Sequence, residues 1–345
     1  MIKAKNGRSY MIPKQAVTIK DIARTLGVSE ATVSLALNHN PLVKLETREK
    51  VIKTAKAMGY VPNTNARRLV LQKSGIIGLV VPDIENVYYA SLVKELSEGM
   101  AASGYSLSIF ISGNDPQKEA RAIRDLIAAR VEGIVYVPIN IAASLDESRT
   151  LLDNCGIPTV CATTVAEGMD CVLCDLREGM RKLTAHILAK DPRRIVYLTG
   201  PQGVYTLDCR QIAFLEAVAD ADVEIRTEHL AAVDYTCARE AAEKLLDNLP
   251  DAIICVNDFM ALGVVNLLTE RGISVPRDCV VTGFDDSVFS IASPVPLTTV
   301  RQDIRAIAKT TVERLLRMIG SKEPWEPETV LLPTELVVRK STENA

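Results

Sequence analysis

Six short apolar runs rich in β-formers punctuate residues 76–284. They are IIGLVV at 76–81, LSIFI at 107–111, GIVYV at 133–137, IVYLT at 195–199, AIICV at 252–256 and CVVTGF at 279–284. Helical segments such as YYASLVKELSEGMAAS and MALGVVNLLTERG separate most of them. Strands that are apolar without alternation are buried on both faces, and strands alternating with helices form parallel sheets covered on either side. There are too many such units for one ordinary doubly wound domain, so two lobes sharing a cleft is the natural division. Strand carboxyl ends line such a crevice, where ligands of open α/β sheets bind.

The charge is unevenly spread. Residues 1–73 hold 14 Lys and Arg against 4 acids, a balance of +10, so the remainder carries −13 of a net −3. A basic head rich in helix formers points to a polyanion partner. No apolar run approaches the roughly 20 residues of a membrane helix. The start, MIKAKNGRSYMIPK, is basic but lacks a signal peptide's apolar stretch. A cytoplasmic location is expected. Residues 1–15 read as a disordered tail, and Met11 competes with Met1 as the true start.

Eight cysteines in 345 residues make no disulfide framework. Only Cys171 and Cys174 have CxxC spacing; on a strand they face opposite sides, and no second pair or nearby His completes a four-ligand set. Buried thiols are expected. His39, His186 and His229 are dispersed, so no metal site and no cofactor are expected. Without a Walker P-loop or a GxSxG elbow, an enzyme is disfavoured too.

The head resolves into three short helices. Thr18 is an N-cap with Asp21 three residues on, a capping-box pattern. Ile19, Ile22, Ala23 and Leu26 then share one helical face. Gly27 supplies a turn that needs positive φ. Ser29 caps a second helix with Val33 and Leu37 inward and Glu30, Ala31, Ser34 and Leu35 outward. A third helix at about 46–58 places Val51, Ile52, Ala55 and Met58 on one face. Helix, Gly-containing turn and second helix make a helix-turn-helix pattern.

TIKDIARTLGVSEATVSLALN followed by TREKVIKTAKAMGYVPN closely resembles the DNA-binding head of the lactose/galactose-repressor family of bacterial transcription regulators. The resemblance continues through GPQGVYTLDCR, CVNDFMALG, GFDDS and LTTVRQDI, and so covers residues 17–340. It implies an all-α helix-turn-helix head and hinge helix, followed by a two-lobed α/β effector domain like that of periplasmic sugar-binding proteins. The implied domains are 16–62 for DNA binding, 63–73 for hinge and linker, and 74–345 for effector binding and dimerisation. The N-lobe takes about 74–175 and 303–332, and the C-lobe about 176–302 and 333–340.

The implied function is a repressor whose affinity for a pseudo-palindromic operator is set by a small molecule, a sugar or sugar derivative. The expected DNA-contacting residues are Thr18, Lys20, Ser29, Glu30, Ala31, Thr32, Ser34, Leu35, Asn38 and Tyr60. In the hinge, Asn63, Ala66 and Arg67 join them, with Leu69 as a minor-groove wedge. Tyr88 and Tyr89 suit stacking on a ligand ring. Arg210 and Asp285 match family effector contacts, and Tyr235 matches a family aromatic wall. Asn257 and Asp258 open a helix, where capping is the competing role. Gln302 sits at a lobe crossover, and Asp286 reads as structural. Thr163 stands where the lactose repressor has a ligand-facing acid, a departure that weakens any transfer of its particular sugar. Paired hinges imply a homodimer, and no heptad tail follows LLPTELVVRK. A second reading within the family, a global catabolite regulator with a phosphorylated carrier protein as corepressor, is left open by these residues.

Overall fold

Thr18 starts the first helix by the expected reciprocal pair. Its Oγ1 accepts from the Asp21 N–H at 3.3 Å, and Asp21 Oδ2 accepts from the Thr18 N–H at 3.0 Å. The computed structural model describes residues 17–60, 74–139, 142–321, 323 and 325–343. They fall into two units, divided between Lys73 and Ser74. In the first, α1 (Ile19–Leu26) ends at Gly27, whose φ of 65° a side chain would strain. α2 (Glu30–Leu37) is capped by Ser29, which accepts from the Thr32 N–H at 3.0 Å. Arg48 on α3 (Leu45–Ala57) ties the α2–α3 turn by donating to the carbonyls of Asn40 and Val43. Ile22, Ala23, Val33, Ala36, Val43, Val51 and Ala55 form the core.

Two details depart from the expected faces. Ile52 is 38% exposed, because α3 buries only the narrow stripe of Val51 and Ala55. On α2 the inward pair is Val33 and Ala36, with Leu37 half-buried. Leu35, expected to face outward, is half-buried against the same core. Helices this short turn a small side chain, Ala36, toward their neighbours so that the backbones can approach.

The second unit is built on parallel sheets. β1 (Ile76–Val81), β2 (Ser106–Ile111), β3 (Gly133–Tyr136), β4 (Thr159–Ala162), β5 (Asp170–Cys174) and a late strand, β11 (Thr329–Leu332), form one sheet in the order β11-β5-β4-β3-β1-β2. Every pairing in it is parallel. α4 (Val87–Ala102) and α12 (Ile304–Gly320) pack together and contribute to the core on one face, around Leu79, Leu92, Leu96 and Leu315. α5 (Pro116–Ala128) and α6 (Ala142–Cys155) contribute to that on the other. The second lobe's sheet, β7-β6-β8-β9, consists of β6 (Arg194–Thr199), β7 (Glu224–His229), β8 (Ala252–Cys255) and β9 (Val280–Thr282). Its helices are α7 (Leu176–Leu188), α8 (Tyr205–Val218), α9 (Tyr235–Glu243) and α10 (Asp258–Glu270).

The chain passes between the lobes three times. After β5 it enters α7 and the second lobe. It returns after α11 (Val288–Ala292) and β10 (Thr299–Gln302) into α12, and leaves again from β11 into β12 (Thr334–Val337). β10 and β12 pair antiparallel at the crossing. β11 is held beside β5 by Asp170, whose Oδ1 accepts from Arg314, the Trp325 indole and the Glu328 N–H at 2.6, 3.1 and 3.1 Å. The chain's last described turn is buried as well, with Ser341 Oγ accepting from the Thr298 N–H at 2.8 Å.

All eight cysteines are free thiols, with Cys171 and Cys174 buried in β5. Among the described residues, no helix is long and apolar enough to cross a membrane, and no group of three His, Cys, Asp or Glu is placed to hold a metal.

Candidate functional site

In the head, the start of α2 presents Glu30 and Ala31 to solvent, with Ser34 and Leu35 half-buried one turn on. Lys20 and Asn38 are exposed, and Asn38 Nδ2 donates to the Ser34 carbonyl at 2.9 Å. Thr18 and Ser29 spend their hydroxyls on capping; Ser29 Oγ also lies 2.8 Å from the Thr32 hydroxyl. Tyr60 is half-buried against the head core. Asn63, Ala66, Arg67 and Leu69 lie outside the described residues. The expected contacts that are described therefore fall into three groups: exposed side chains such as Lys20, Glu30 and Ala31, caps that fix where helices begin, and Ser34, Leu35 and Tyr60, which are half-buried.

In the body, four expected residues form a connected chain across the lobes. Tyr88, in the first turn of α4, donates its hydroxyl to Gln302 Oε1 at 3.2 Å. Gln302 Nε2 donates to Asp285 Oδ1 at 2.7 Å, and Arg210 Nη2 lies 3.6 Å from that same oxygen. Arg210 also donates from Nη1 to the Val256 carbonyl at 2.6 Å and lies 4.2 Å from the centre of the Phe284 ring. Burial pushes the Asp285 carboxyl up to about 6, against the pull of Arg210 and the Gln302 hydrogen bond. Burial also raises the Tyr89 hydroxyl to about 12 and moves Tyr88 in the same direction, so both stay protonated donors. Tyr89 meets Tyr88 edge to face at 5.5 Å.

Asp285 and Asp286 have φ of 103° and 52°, consecutive left-handed residues at the end of the β9 loop. Such backbone is strained for non-glycine residues and persists where surrounding bonds fix it. Asp286 is fixed by Arg301 Nε at 2.7 Å, Arg339 Nη2 at 2.6 Å and the Ser290 hydroxyl at 3.1 Å, which makes it structural. The result is that Asp285 is aimed at Arg210 and Gln302.

Asn257 is the cap of α10, its Oδ1 accepting from the Met260 N–H at 2.8 Å. Asp258 is not the cap. It is buried, accepting from the Thr299 hydroxyl at 2.6 Å and the Ser287 N–H at 2.7 Å. Burial and the neighbouring Asp285 push its carboxyl up to about 8. A Cβ at residue 283 would collide with Asp258 Oδ1, so Gly283 is required for this close approach.

These groups border a cavity of about 170 Å³. Tyr88, Asn257 and Asp285 line it, whereas Tyr89, Arg210, Tyr235 and Gln302 do not. Tyr235 packs beside Phe259 at 5.9 Å, and its hydroxyl accepts from Asn266 at 3.0 Å. The aromatic lining from the second lobe comes from Phe259 and Phe289, which stack at 4.8 Å. Sequence reasoning missed both, along with Asp234. The one available signal was position: Phe259 follows Asn257-Asp258 directly.

Residues 18–63 match the model of bacterial regulatory proteins of the lacI family, and residues 184–342 match the periplasmic binding protein-like domain. The chain is 32% identical over 338 residues to catabolite control protein A of Priestia megaterium, covering 94% of this chain and 99% of that protein. It is also 32% identical over 331 residues to the HTH-type transcriptional repressor PurR of Mannheimia succiniciproducens, covering 94% and 98%. A crystal structure of the lac repressor dimer bound to operator and the anti-inducer ONPF superposes with a TM-score of 0.86. That match has 26% identity and covers 95% of this chain and 99% of that one.

Proposed function

This chain belongs to the lacI family of bacterial regulatory proteins, and from that premise we propose that it is a cytoplasmic, dimeric repressor switched by a carbohydrate-like effector held between its lobes. It is a DNA-binding transcription regulator with a periplasmic-binding-protein-like effector domain, not an enzyme. We assign residues 16–62 to operator binding, 63–73 to the hinge and 74–345 to effector binding and dimerisation.

The observation that carries the effector reading is the chain Tyr88–Gln302–Asp285–Arg210. It joins a residue of the first lobe to the crossover and then to the second lobe, so a ligand that rearranges it changes lobe geometry. Such a ligand shifts the equilibrium only by its differential affinity for the two arrangements. Residues 63–73, which join head and body along the chain, are the natural reader of that change. Glu30 and Ala31 suit base readout, to cytosine N4 and a thymine methyl respectively, while Lys20 suits phosphate. Two heads on a two-fold dimer then read a pseudo-palindrome. A phosphorylated carrier protein stays outside the proposal: the relatives named catabolite control protein A and PurR are equally similar, at 32%.

The test uses Arg210→Ala. Operator DNA is recovered from a random pool with the unaltered protein, and gel shifts are run with a hexose panel. The variant should keep operator affinity in ligand-free buffer and lose the effector response, with effector affinity down at least about tenfold because Asp285, which lines the cavity, loses its cationic partner. A lowered melting temperature with normal effector affinity would instead make Arg210 a structural ion-pair residue.

A further inference from the structure

The cavity's lining has a one-sided charge. Five carboxylates border it, Asp83, Glu85, Asp234, Asp258 and Asp285, and no Lys, Arg or His is among the residues that line it. Asp285 is balanced by Arg210. Asp258, raised to about 8, is largely protonated at neutral pH. Asp83, Glu85 and Asp234 have no ion-pair partner among the described residues and remain three uncompensated negative charges.

Four helices also begin here, α4, α9, α10 and the short α11, and helix N-termini favour anions. One N–H in the first turn of each of the three longer helices is already taken by its cap: Asn86 accepts from Tyr88 at 3.0 Å, Asp234 from Cys237 at 2.8 Å and Asn257 from Met260 at 2.8 Å. Each helix contributes about half a positive unit, which leaves the three carboxylates dominant. Asp83 likewise caps its own turn, accepting from the Glu85 N–H at 2.8 Å and the Asn86 N–H at 3.2 Å. Capping uses lone pairs and leaves the charge in place.

Opposite charge is not the only attraction on offer. Phe259 is 37% exposed and stacked on Phe289, and both line the cavity. An aromatic face accepts the apolar side of a sugar ring and also attracts an ammonium group. A phosphate or carboxylate, by contrast, needs N–H donors or a guanidinium fork. Here the nearest guanidinium, Arg210, is already engaged by Asp285 and the Val256 carbonyl. A volume of about 170 Å³ suits one small ring.

We propose that this cleft selects an amine-bearing polyol of the amino-sugar class and discriminates against phosphorylated or carboxylated sugars. The inference rests on the effector reading above and adds the charge of the ligand to it. The carboxylates hold the protonated amine, and the Phe259–Phe289 pair holds the ring.

The experiment is calorimetric titration of the full chain, at neutral pH and low salt, with matched trios in the gluco, galacto and manno series. Each trio is the hexose, its 2-amino-2-deoxy form and its 6-phosphate. In at least one trio the amino form should bind about tenfold tighter than the parent hexose, equivalent to about 1.4 kcal/mol, and added salt should shrink that margin. The double variant Glu85→Gln, Asp234→Asn preserves size and the α9 cap, and should cut the margin to about threefold or less. A hexose or hexose 6-phosphate that binds as tightly as the amino form overturns the inference while leaving the cleft an effector site. An amino preference unchanged in the double variant overturns it as well. Silence across every trio also overturns it, and the effector reading then stands or falls on Arg210→Ala.

Discussion

In the head, the side chains offered to a partner are exposed or half-buried, and their hydrogen bonds stay within four residues: Thr18 with Asp21, Ser29 with Thr32, Asn38 with Ser34. In the body, the corresponding groups are buried and paired at long range, Tyr88 with Gln302 across 214 positions. The cores differ in the same sense. The head's fully buried side chains are Ile, Val and Ala, whereas the second lobe buries Tyr197, Phe214 and Phe284. A helical unit near the lower size limit for independent folding has little stability in reserve. It keeps its binding groups where they cost nothing to hold. The larger body can hold a buried acid and two left-handed aspartates at its site, because strain of about 1–3 kcal/mol per residue is small beside its core.

The sharpest way to break this contrast is Val33→Asp. Val33 is fully buried in the head, and an unpaired carboxylate there should unfold the three helices and abolish operator binding, by more than about a hundredfold. Scanning calorimetry should show the body's transition unmoved. A lower body transition would mean that the two units share their stability.

Gln302→Leu tests the opposite unit. It removes both links of the bridge, to Tyr88 and to Asp285, and should weaken effector binding about tenfold with ligand-free operator affinity retained. Equal affinity of variant and parent in calorimetric titration would show that the bridge does not serve ligand binding.

The units should also respond to pH with opposite signs. Asp258 is raised to about 8 from an ordinary value near 3.8, so the folded body binds a proton that the unfolded chain has released. Its contribution is fully present below about pH 4 and is lost as pH rises through about 8. Between pH 7 and 8.5 the Asp258 contribution should fall by about 1 kcal/mol, so the parent should lose roughly 2–4 °C of melting temperature relative to Asp258→Asn, a comparison in which the Cys171 thiol, lowered to about 7, titrates alike in both proteins and cancels. Asp258→Asn should flatten that slope. In the head, Asp21 is held low by its Thr18 hydrogen bonds and Glu46 by Lys50. Their stabilisation is present above the ordinary carboxylate range and is lost in acid, so across the carboxylate range the head should weaken as pH falls. An Asp258→Asn variant whose melting temperature follows the parent's from pH 7 to 8.5 would contradict the assignment.

The smallest effect is expected from Glu30→Gln. Glu30 is exposed at the start of α2, so the head's stability should change by less than about 0.5 kcal/mol. Selection from a random DNA pool should nevertheless return different bases at one position of each half-site. An unaltered preference would leave Glu30 as a solvent-facing acid.

The same contrast explains what the sequence made legible. Caps and the Ile22–Ala23 stripe are local, so the head's helices could be read from spacing. The face of Leu35 and the exposure of Ile52 could not, since periodicity gives a direction but not the width of the neighbouring surface. In the body, the buried strands β1, β3, β6, β8 and β9 announced themselves as apolar runs; β2 did too but is an edge strand with Ile109 and Ile111 exposed, and the short buried β4 did not. β7, EIRTEH, did not, because it is an edge strand whose charged positions face solvent. The resemblance pointed to Arg210, Asp285 and Gln302, which the fold brings together. Phe259, Phe289 and Asp234 come from three separate connections, and nothing in their local sequence marks them as neighbours.

The triple crossing between lobes has a consequence for how the protein is made. β11 lies against β5 in the first sheet, yet some 155 residues of chain separate them. Chains emerge from the ribosome at roughly 5–20 residues per second. The head can therefore fold while most of the body is still unwritten, whereas the first lobe stays open along one edge until Leu332 has emerged. The second lobe waits for Ser341 and Thr342, which close over Thr298. Synthesis that halts early leaves a finished DNA-binding head attached to two unfinished lobes, with the β5 edge exposed. Completion of the last few dozen codons thus acts as the checkpoint on which both lobes depend together.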